Sequence, residues 1–536
     1  MSSSKGVVDP RWGDLVRRRD FLKWTAAGGV YLAGADLLLA CSNSTQATPT
    51  GTATITIAEA TPVDTLDTAV FSTPNITLMD AIHRGLVRID KDGKPTPDAA
   101  TSWESSSDGL NWTFHLRAGM LFHDNTPVDA DAVKYNFDRI LDPANANERR
   151  SNYTLIEQTV ASDPKTVKFT LSAPDPDFLL LMGAVPSAML VSPTAVKKYG
   201  KDFGTNVVGC GPMRLASFDR NLVKLDRWDK FYGKPYNFAH LNFTIIPESS
   251  TRLAALISGQ ADIAQGLSAD ELKQVKSTPG LHAVSGPSTV SYISQLVLAP
   301  NTPLADKRVR QALNLAIDRD SIVKGVFSGT GHGITGPAPE GLQYSVRFGP
   351  IKYDPTTAKS LLSAAGYANG FEMDWYTLFV FGGYQEMTGV VQSNFKDIGV
   401  KLNIINVGSI AGVDASLTHN PYTWPHATGR GVIDNNNTVE TFLQDVYWSK
   451  NTFPPNGTRL SVYKNEQVDK LIESSATNLD STSRAEQLKQ AQQLIWDDWA
   501  ELWVYVPDNA VGVRNRVNGV TVSALKVTAL DSVSVA

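Results

Sequence analysis

Hydrophobic and polar positions alternate most clearly between residues 101 and 142. Leu110, Trp112, Phe114 and Leu116 are separated by Asn111, Thr113 and His115, the period-two pattern of a half-buried strand. Asp108-Gly109, just before them, is a hairpin turn signal, because glycine tolerates a positive φ. Downstream the period becomes helical. Val133, Phe137, Ile140 and Leu141 share one face, and Asp129 stands where an N-cap belongs. The stretch predicts strand, turn, strand, loop and helix.

The same reading extends along the chain. Short strands are expected at Ile55–Ala58, Leu86–Asp90, Met213–Phe218 and Leu241–Ile246, and a strand pair around the Asp163-Pro164 turn between Val160 and Leu171. A helix from about Ser249 ends at Gly259, and Ala261-Asp262-Ile263 opens a strand. Tyr292–Leu298 reads as a strand crossing between two lobes. Asp306 caps a helix whose Val309, Ala312, Leu313, Ala316 and Ile317 form one apolar face, and the arginines of this stretch, Arg308, Arg310 and Arg319, read as solvated or ion-paired. Asp354-Pro355 starts another, carrying Ala358, Leu361, Leu362 and Ala365 and ending at Gly366. Ser483 and Glu486 have capping-box spacing ahead of Leu488, Ala491, Ile495, Trp499 and Leu502. These β–α alternations argue for an α/β fold.

Composition narrows the class. The chain has 536 residues, 42% hydrophobic and 19% charged, with a net charge of −5. The first forty residues hold six Lys/Arg and four Asp, so the remainder carries −7. A mildly acidic body excludes the concentrated basic surface that nucleic-acid binding needs. No apolar run long enough for a membrane span follows residue 40.

The N-terminal segment reads as an address. Arg18-Arg19-Asp20-Phe21-Leu22-Lys23 looks like a twin-arginine export motif, and the stretch from Trp24 to Ala40 suits a signal h-region interrupted by Asp36. Leu38-Leu39-Ala40-Cys41 resembles a bacterial lipobox, which implies cleavage before Cys41 and acylation of its thiol. The alternative is a plain N-terminal anchor with an unmodified cysteine. The chain has two cysteines, so an acylated Cys41 leaves Cys210 as a small buried hydrophobe rather than half of a disulfide. Residues 41–54, rich in Ser and Thr, read as a tether.

Enzyme signatures are sparse. GxSxG, HExxH, Walker A and a full GxGxxG are absent from the sequence. Ser321-Ile322-Val323-Lys324 fits SxxK without a KTG partner, and the eight histidines make no familiar metal spacing. The chain therefore reads as a binder, with no catalytic residue, cofactor or metal assigned.

A family resemblance runs through these elements. Ser102-Trp103, Ser106-Ser107-Asp108-Gly109, Trp112 to Gly119 (WTFHLRAG), Phe122-His123-Asp124 and Asp129 to Val133 (DADAV) resemble dipeptide- and oligopeptide-binding proteins of ABC importers, solute-binding protein family 5. Further blocks are SSTRLAALISGQADI from Ser249, DKRVRQA from Asp306 with AIDR from Ala316, and YDP with LLSAAGY between Tyr353 and Tyr367. Val208 to Met213 resembles the family's G-T-G-P turn with Cys210 in place of Thr. The matching blocks span about residues 55 to 520.

The resemblance implies an α/β type II periplasmic-binding-protein fold, two lobes closing on a hinge over a solute. Lobe I would comprise 55–85, 186–286 and 501–536, an inserted subdomain 86–185, and lobe II 287–500, after a signal segment 1–40. It implies an extracytoplasmic, lipid-anchored binder of di- or oligopeptides. That binder would serve a membrane permease and cognate ATPases on separate chains. Relatives for nickel chelates, opines or oligosaccharides, and an exported hydrolase using the same cleft, are the alternatives. A non-transport sensor that presents solute to a receptor is a third.

The family pattern weakens between Pro421 and Ser449, which marks that stretch as the ligand segment, and the candidate ligand residues are Asp434, Arg430, Trp424, Tyr292 and Phe71. In the family's W-x-A-D-Y-x-x-P motif the Asp pairs with a peptide's α-amino group. Here Asp434 lacks that context and sits one residue too far from Phe442. Arg430 is the candidate for a ligand carboxylate, and Trp424 and Tyr292 for apolar walls. Phe71 lies in a segment that runs near the family's cleft.

Overall fold

The computed structural model describes residues 51–70, 75–90, 93–145, 150–184, 188–377, 383–407, 426–433, 438–451, 463–524 and 528–536. Three sheets organise them. The first has seven strands in the order Leu281–Gly286, Asn509–Arg514, Ile263–Ala264, Thr54–Glu59, His240–Ile245, Leu222–Arg227 and Met213–Asp219. Thr54–Glu59 is central and runs parallel to both neighbours. Its Ile55 and Ile57 are fully buried in a core with Leu78, Ile82, Phe238, Phe243 and Val513.

The second sheet has six strands in the order His332–Gly333, Glu501–Val506, Val290–Leu296, His426–Ile433, Phe371–Thr377 and Val400–Asn406. Both faces are covered, so a central strand is buried throughout rather than at alternate positions. Val290–Leu296 is buried at all seven positions. Adjacent side chains enter opposite cores: Tyr292 joins Leu313, Trp375 and Phe395, and Ile293 joins Leu443, Ile495 and Trp503.

Inserted in the chain between Thr54–Glu59 and Met213–Asp219 is a four-stranded antiparallel sheet: Ala100–Ser105, Asn111–Leu116, Thr166–Leu171 and Ile156–Asp163. The expected alternation holds. Trp112, Phe114 and Leu116 point inward, and Phe114 meets Phe169 edge-on at 5.6 Å between centroids. Gly109 takes φ +70° at the turn. Asp129 caps Ala130–Leu141 by accepting from Ala132 N at 2.9 Å.

Three expectations change. The helix Ser481–Asp497 is capped by Asp480, which accepts from Ser483 N at 2.6 Å. Ser483 and Glu486 are therefore inside the first turns, and Glu486 accepts from Gln490 at 3.2 Å instead of closing a capping box. The strand Glu501–Val506, grouped with lobe I in the sequence reading, pairs with Val290–Leu296 in the second sheet. Its six buried positions need cover on both sides, which that sheet supplies. The chain thus passes between sheets at Pro507-Asp508 and at residues 287–289, and Val290–Leu296 lies beyond the crossing rather than forming it. Asn509 ties the two crossings through Nδ2 to Pro287 O, 3.4 Å away.

The third change concerns Arg310 and Arg319, expected to be solvated or ion-paired. Arg308 does pair with Asp306 at the surface. Arg310 and Arg319 are buried, 6% and 5% exposed, and spend their donors on main-chain carbonyls. Arg310 bonds to Leu304 O, Ala305 O, Asp498 O and Trp499 O, and Arg319 to Trp503 O, Asn314 O and Ile317 O. Among the described residues no helix is long and apolar enough to cross a membrane.

Candidate functional site

The geometry of the second sheet places the sequence-predicted ligand segment. Phe371–Thr377, Val400–Asn406 and His426–Ile433 run parallel, so their carboxyl ends emerge along one edge. Ligands of open α/β sheets gather outside such ends. Arg430 lies in the strand, its backbone opposite Ile293, and Gly431 lies opposite Tyr292. Asp434 follows the last residue of the same strand in sequence. Asp434, Trp424 and Phe71 fall outside the described residues, as do Cys41, Arg18 and Arg19; for Arg430 the backbone alone is described.

Tyr292 is 7% exposed and belongs to an aromatic cluster beneath this edge. Its ring lies 5.5 Å from Tyr384, 5.6 Å from Tyr505 and 6.2 Å from Phe327. Phe327 and Tyr505 stack at 3.8 Å. Burial pushes the Tyr292 hydroxyl up to about 12, so it stays protonated at neutral pH. The cluster packs against Val290–Leu296, the strand paired with His426–Ile433.

On the first lobe, the segment leading to Phe71 is held by a buried ion pair. Arg139 donates to both carboxylate oxygens of Asp67, with Nη1–Oδ1 at 2.6 Å, and its guanidinium lies 5.6 Å from the Phe203 ring centre. Asp67 Oδ1 also accepts from Ala69 N at 3.1 Å. His83 Nε2 lies 3.2 Å from Leu66 O, and burial lowers the imidazole to about 4. A neutral ring facing a carbonyl donates from that nitrogen. Arg139 was not singled out from sequence. It lies 72 residues from Asp67, and the helix pattern shows only that it is polar.

A cavity of about 530 Å³ lies between the lobes, with Arg88, Asp98 and Asp531 on one side and Glu340 and Gln343 on the other. Asp80 pairs with Arg84 and Arg88, and Arg88 reaches Asp531 at 3.0 Å. Asp98 is 4% exposed, and its Oδ2 has no hydrogen-bond partner among the described residues. Burial pushes its carboxyl to about 7, against the pull of Arg84 and Arg88. A carboxyl whose native pKa exceeds its unfolded value loses stabilisation as pH rises through the native value. Asp98→Asn is therefore expected to reduce the fall in stability between pH 5 and pH 8, by on the order of 2 kcal/mol. Thermal melts across that range check it; an unchanged pH dependence would remove Asp98 as a source.

These features define a bilobed solute-binding protein whose function is capture between lobes. Residues 94–450 match the family described as bacterial extracellular solute-binding proteins, family 5 Middle, and the chain belongs to that family. It is similar to the glutathione-binding protein GsiB of Pectobacterium atrosepticum, 31% identical over 443 residues, covering 80% of this chain and 83% of the relative. Among solved structures it resembles HbpA2 from Haemophilus parasuis, at TM-score 0.79 and 24% identity, covering 90% of this chain and all of that one. It also resembles the periplasmic binding protein DppA from Helicobacter pylori in complex with the peptide STSA, at TM-score 0.70 and 21% identity, covering 90% and 98%. The family is one of solute-binding proteins rather than enzymes, and its place is outside the cytoplasm.

Proposed function

We propose that the chain captures di- or oligopeptides between its lobes. It delivers them to the permease of an ABC importer, whose membrane subunits and ATPases are separate chains. Its 31% identity to a glutathione-binding protein over 80% of its length carries this reading, because glutathione is a short peptide with a free amine and two carboxylates. Arg18-Arg19 and Leu38 to Cys41 support export through a twin-arginine route and a lipid on Cys41 that holds the protein at the outer face of the membrane.

The cleft edge supports a division of labour. Asp434 meets the peptide's α-amino group, Arg430 meets a carboxylate, and Trp424 and Phe71 supply apolar walls. Calorimetry on a chain starting after Cys41 tests the class with glutathione, dipeptides and tetrapeptides against an opine, an oligosaccharide and a metal chelate. Heat from peptides is expected. Silence with every peptide, alongside clear binding of another class, overturns the peptide assignment.

Given peptide binding, Asp434→Asn removes a charge-assisted contact, expected to weaken free-amine peptides about tenfold or more. Peptides acetylated at the amine should be little affected. Equal weakening of both would take Asp434 out of the amine-binding role.

A further inference from the structure

The inserted subdomain is fastened to the first lobe by buried bonds. Asn136 exchanges hydrogen bonds with the main chain of Val191, at 2.9 and 3.0 Å, and Arg139 grips Asp67. The two therefore move as one body. That body also touches the second lobe at a different place from the chain crossings. Arg484, on the helix Ser481–Asp497, donates to both oxygens of Asp177, with Nη1–Oδ1 at 2.6 Å. Its Nε is committed to Ser475 O at 3.0 Å, and its guanidinium lies 5.4 Å from the Tyr344 ring centre. Beside it, the methyls of Leu479 fill the space that a side chain at Gly109 would take.

The charges at this contact do not balance. Arg484 is 2% exposed and its fork is filled by Asp177. Two further carboxyls share the site. Asp175 lies on the subdomain loop, where its Oδ1 accepts from Asp177 N at 2.8 Å. Glu440, in the first turn of Val439–Val446, is 6% exposed, and its Oε1 has no hydrogen-bond partner among the described residues. Asp445 lies on the same helix and acts on Glu440 as well. Among the described residues Arg484 is thus the one cation set against Asp177, the buried Glu440 and the half-buried Asp175.

We propose that this contact is a proton-binding latch. Closing the lobes joins Asp177 to Arg484 and takes up a proton on the Glu440–Asp175 pair, so closure is favoured by acid. This inference rests on the lobes moving as a hinged pair, but not on which solute they hold. The titration agrees in direction. Burial first, and then neighbouring carboxylates, raise Glu440 to about 7 and Asp175 to about 6. When the lobes part, water reaches both groups and their values fall towards ordinary carboxylates, near 4. The closed form then holds protons that the open form has lost. Its advantage is complete below the open-state values and disappears as pH rises through about 6 to 7.

The test is the open-to-closed ratio of the full chain without solute, read by single-molecule energy transfer between dyes on the two lobes. The ratio is expected to rise about a hundredfold from pH 5 to pH 8. The near-isosteric double variant Glu440→Gln, Asp175→Asn should flatten that dependence, and Arg484→Gln should favour the open form at every pH. Arg484→Lys keeps the charge and should restore part of the closed population, which separates loss of the latch from general unfolding. A ratio independent of pH in the unaltered chain overturns the proposal. So does a pH dependence that survives in the double variant. Because no solute is present, failure here is distinct from failure of the peptide assignment.

Discussion

Arg319→Met is expected to destabilise the second lobe by roughly 3 kcal/mol or more. The side chain is 5% exposed and bonds to Trp503 O at 2.8 Å, Asn314 O at 2.9 Å and Ile317 O at 3.1 Å. It also reaches Asn314 Oδ1 at 3.2 Å, the atom that accepts from Trp503 N. Methionine keeps much of the volume and removes every donor. Asn314 O and Ile317 O keep main-chain donors, from Ile317 N at 3.3 Å and Arg319 N at 3.1 Å, but each buried carbonyl loses the side-chain donor that replaced water. The affected strand, Glu501–Val506, carries the chain back to the first sheet, so damage there reaches the hinge. Urea unfolding with the second lobe's tryptophan fluorescence measures the loss. A change below about 1 kcal/mol would mean that the carbonyls find water or that the site relaxes.

Gly209→Ala is expected to cost about 3 kcal/mol by overpacking, and Gly211→Ala a similar amount. An added Cβ at Gly209 would overlap the Ile82 carbonyl oxygen and stand 2.6 Å from His83 Nδ1. At Gly211 it would stand 2.6 Å from Ala81 O. Neither obstacle can step aside. Ile82 O accepts from Gly211 N at 2.8 Å, and Gly209 O accepts from His123 N at 2.9 Å. His123 Nε2 lies 3.0 Å from Gly211 O, and burial lowers that imidazole to about 4, so the neutral ring donates there. His123 belongs to the Phe122-His123-Asp124 block and locks the turn at Val208–Met213. Cys210→Ala serves as the control. Its thiol is 1% exposed within the subdomain core, and the change removes a small apolar group. Thermal melts of the three variants separate the effects. Equal losses in all three would show that close backbone approach is not the cause.

Trp112, Phe114 and Leu116 of the alternating stretch became the buried face of the strand Asn111–Leu116, because a period of two leaves only one way to hide three large side chains, and Leu110 stays half-buried before it. Asp129, Asp306 and Asp354 became N-caps for an equally local reason: a short acceptor reaches the free N–H groups two or three residues ahead. The order of these elements was enough to carry the family resemblance and the α/β class. Locality also set the limits. Asp480 and Ser483 both have cap chemistry, and choosing between them needs the observed start of the helix. The Arg residues near position 310 read as a solvated face, since nothing local shows that Asp498 and Trp499 bring their carbonyls to Arg310.

The candidate ligand edge divides the same way. The sequence by itself marked 421–449 as the stretch where the family pattern weakens, and pointed to Arg430 and Asp434. Tertiary structure alone decided that three parallel strands share their carboxyl ends there, that Tyr292 is buried in the aromatic support beneath, and that Asp67 meets Arg139. It alone joined Asp177 to Arg484 across 307 positions. Patterns of period, capping and turn are written in neighbouring residues, whereas charge pairing and burial depend on which distant segments the fold brings into contact.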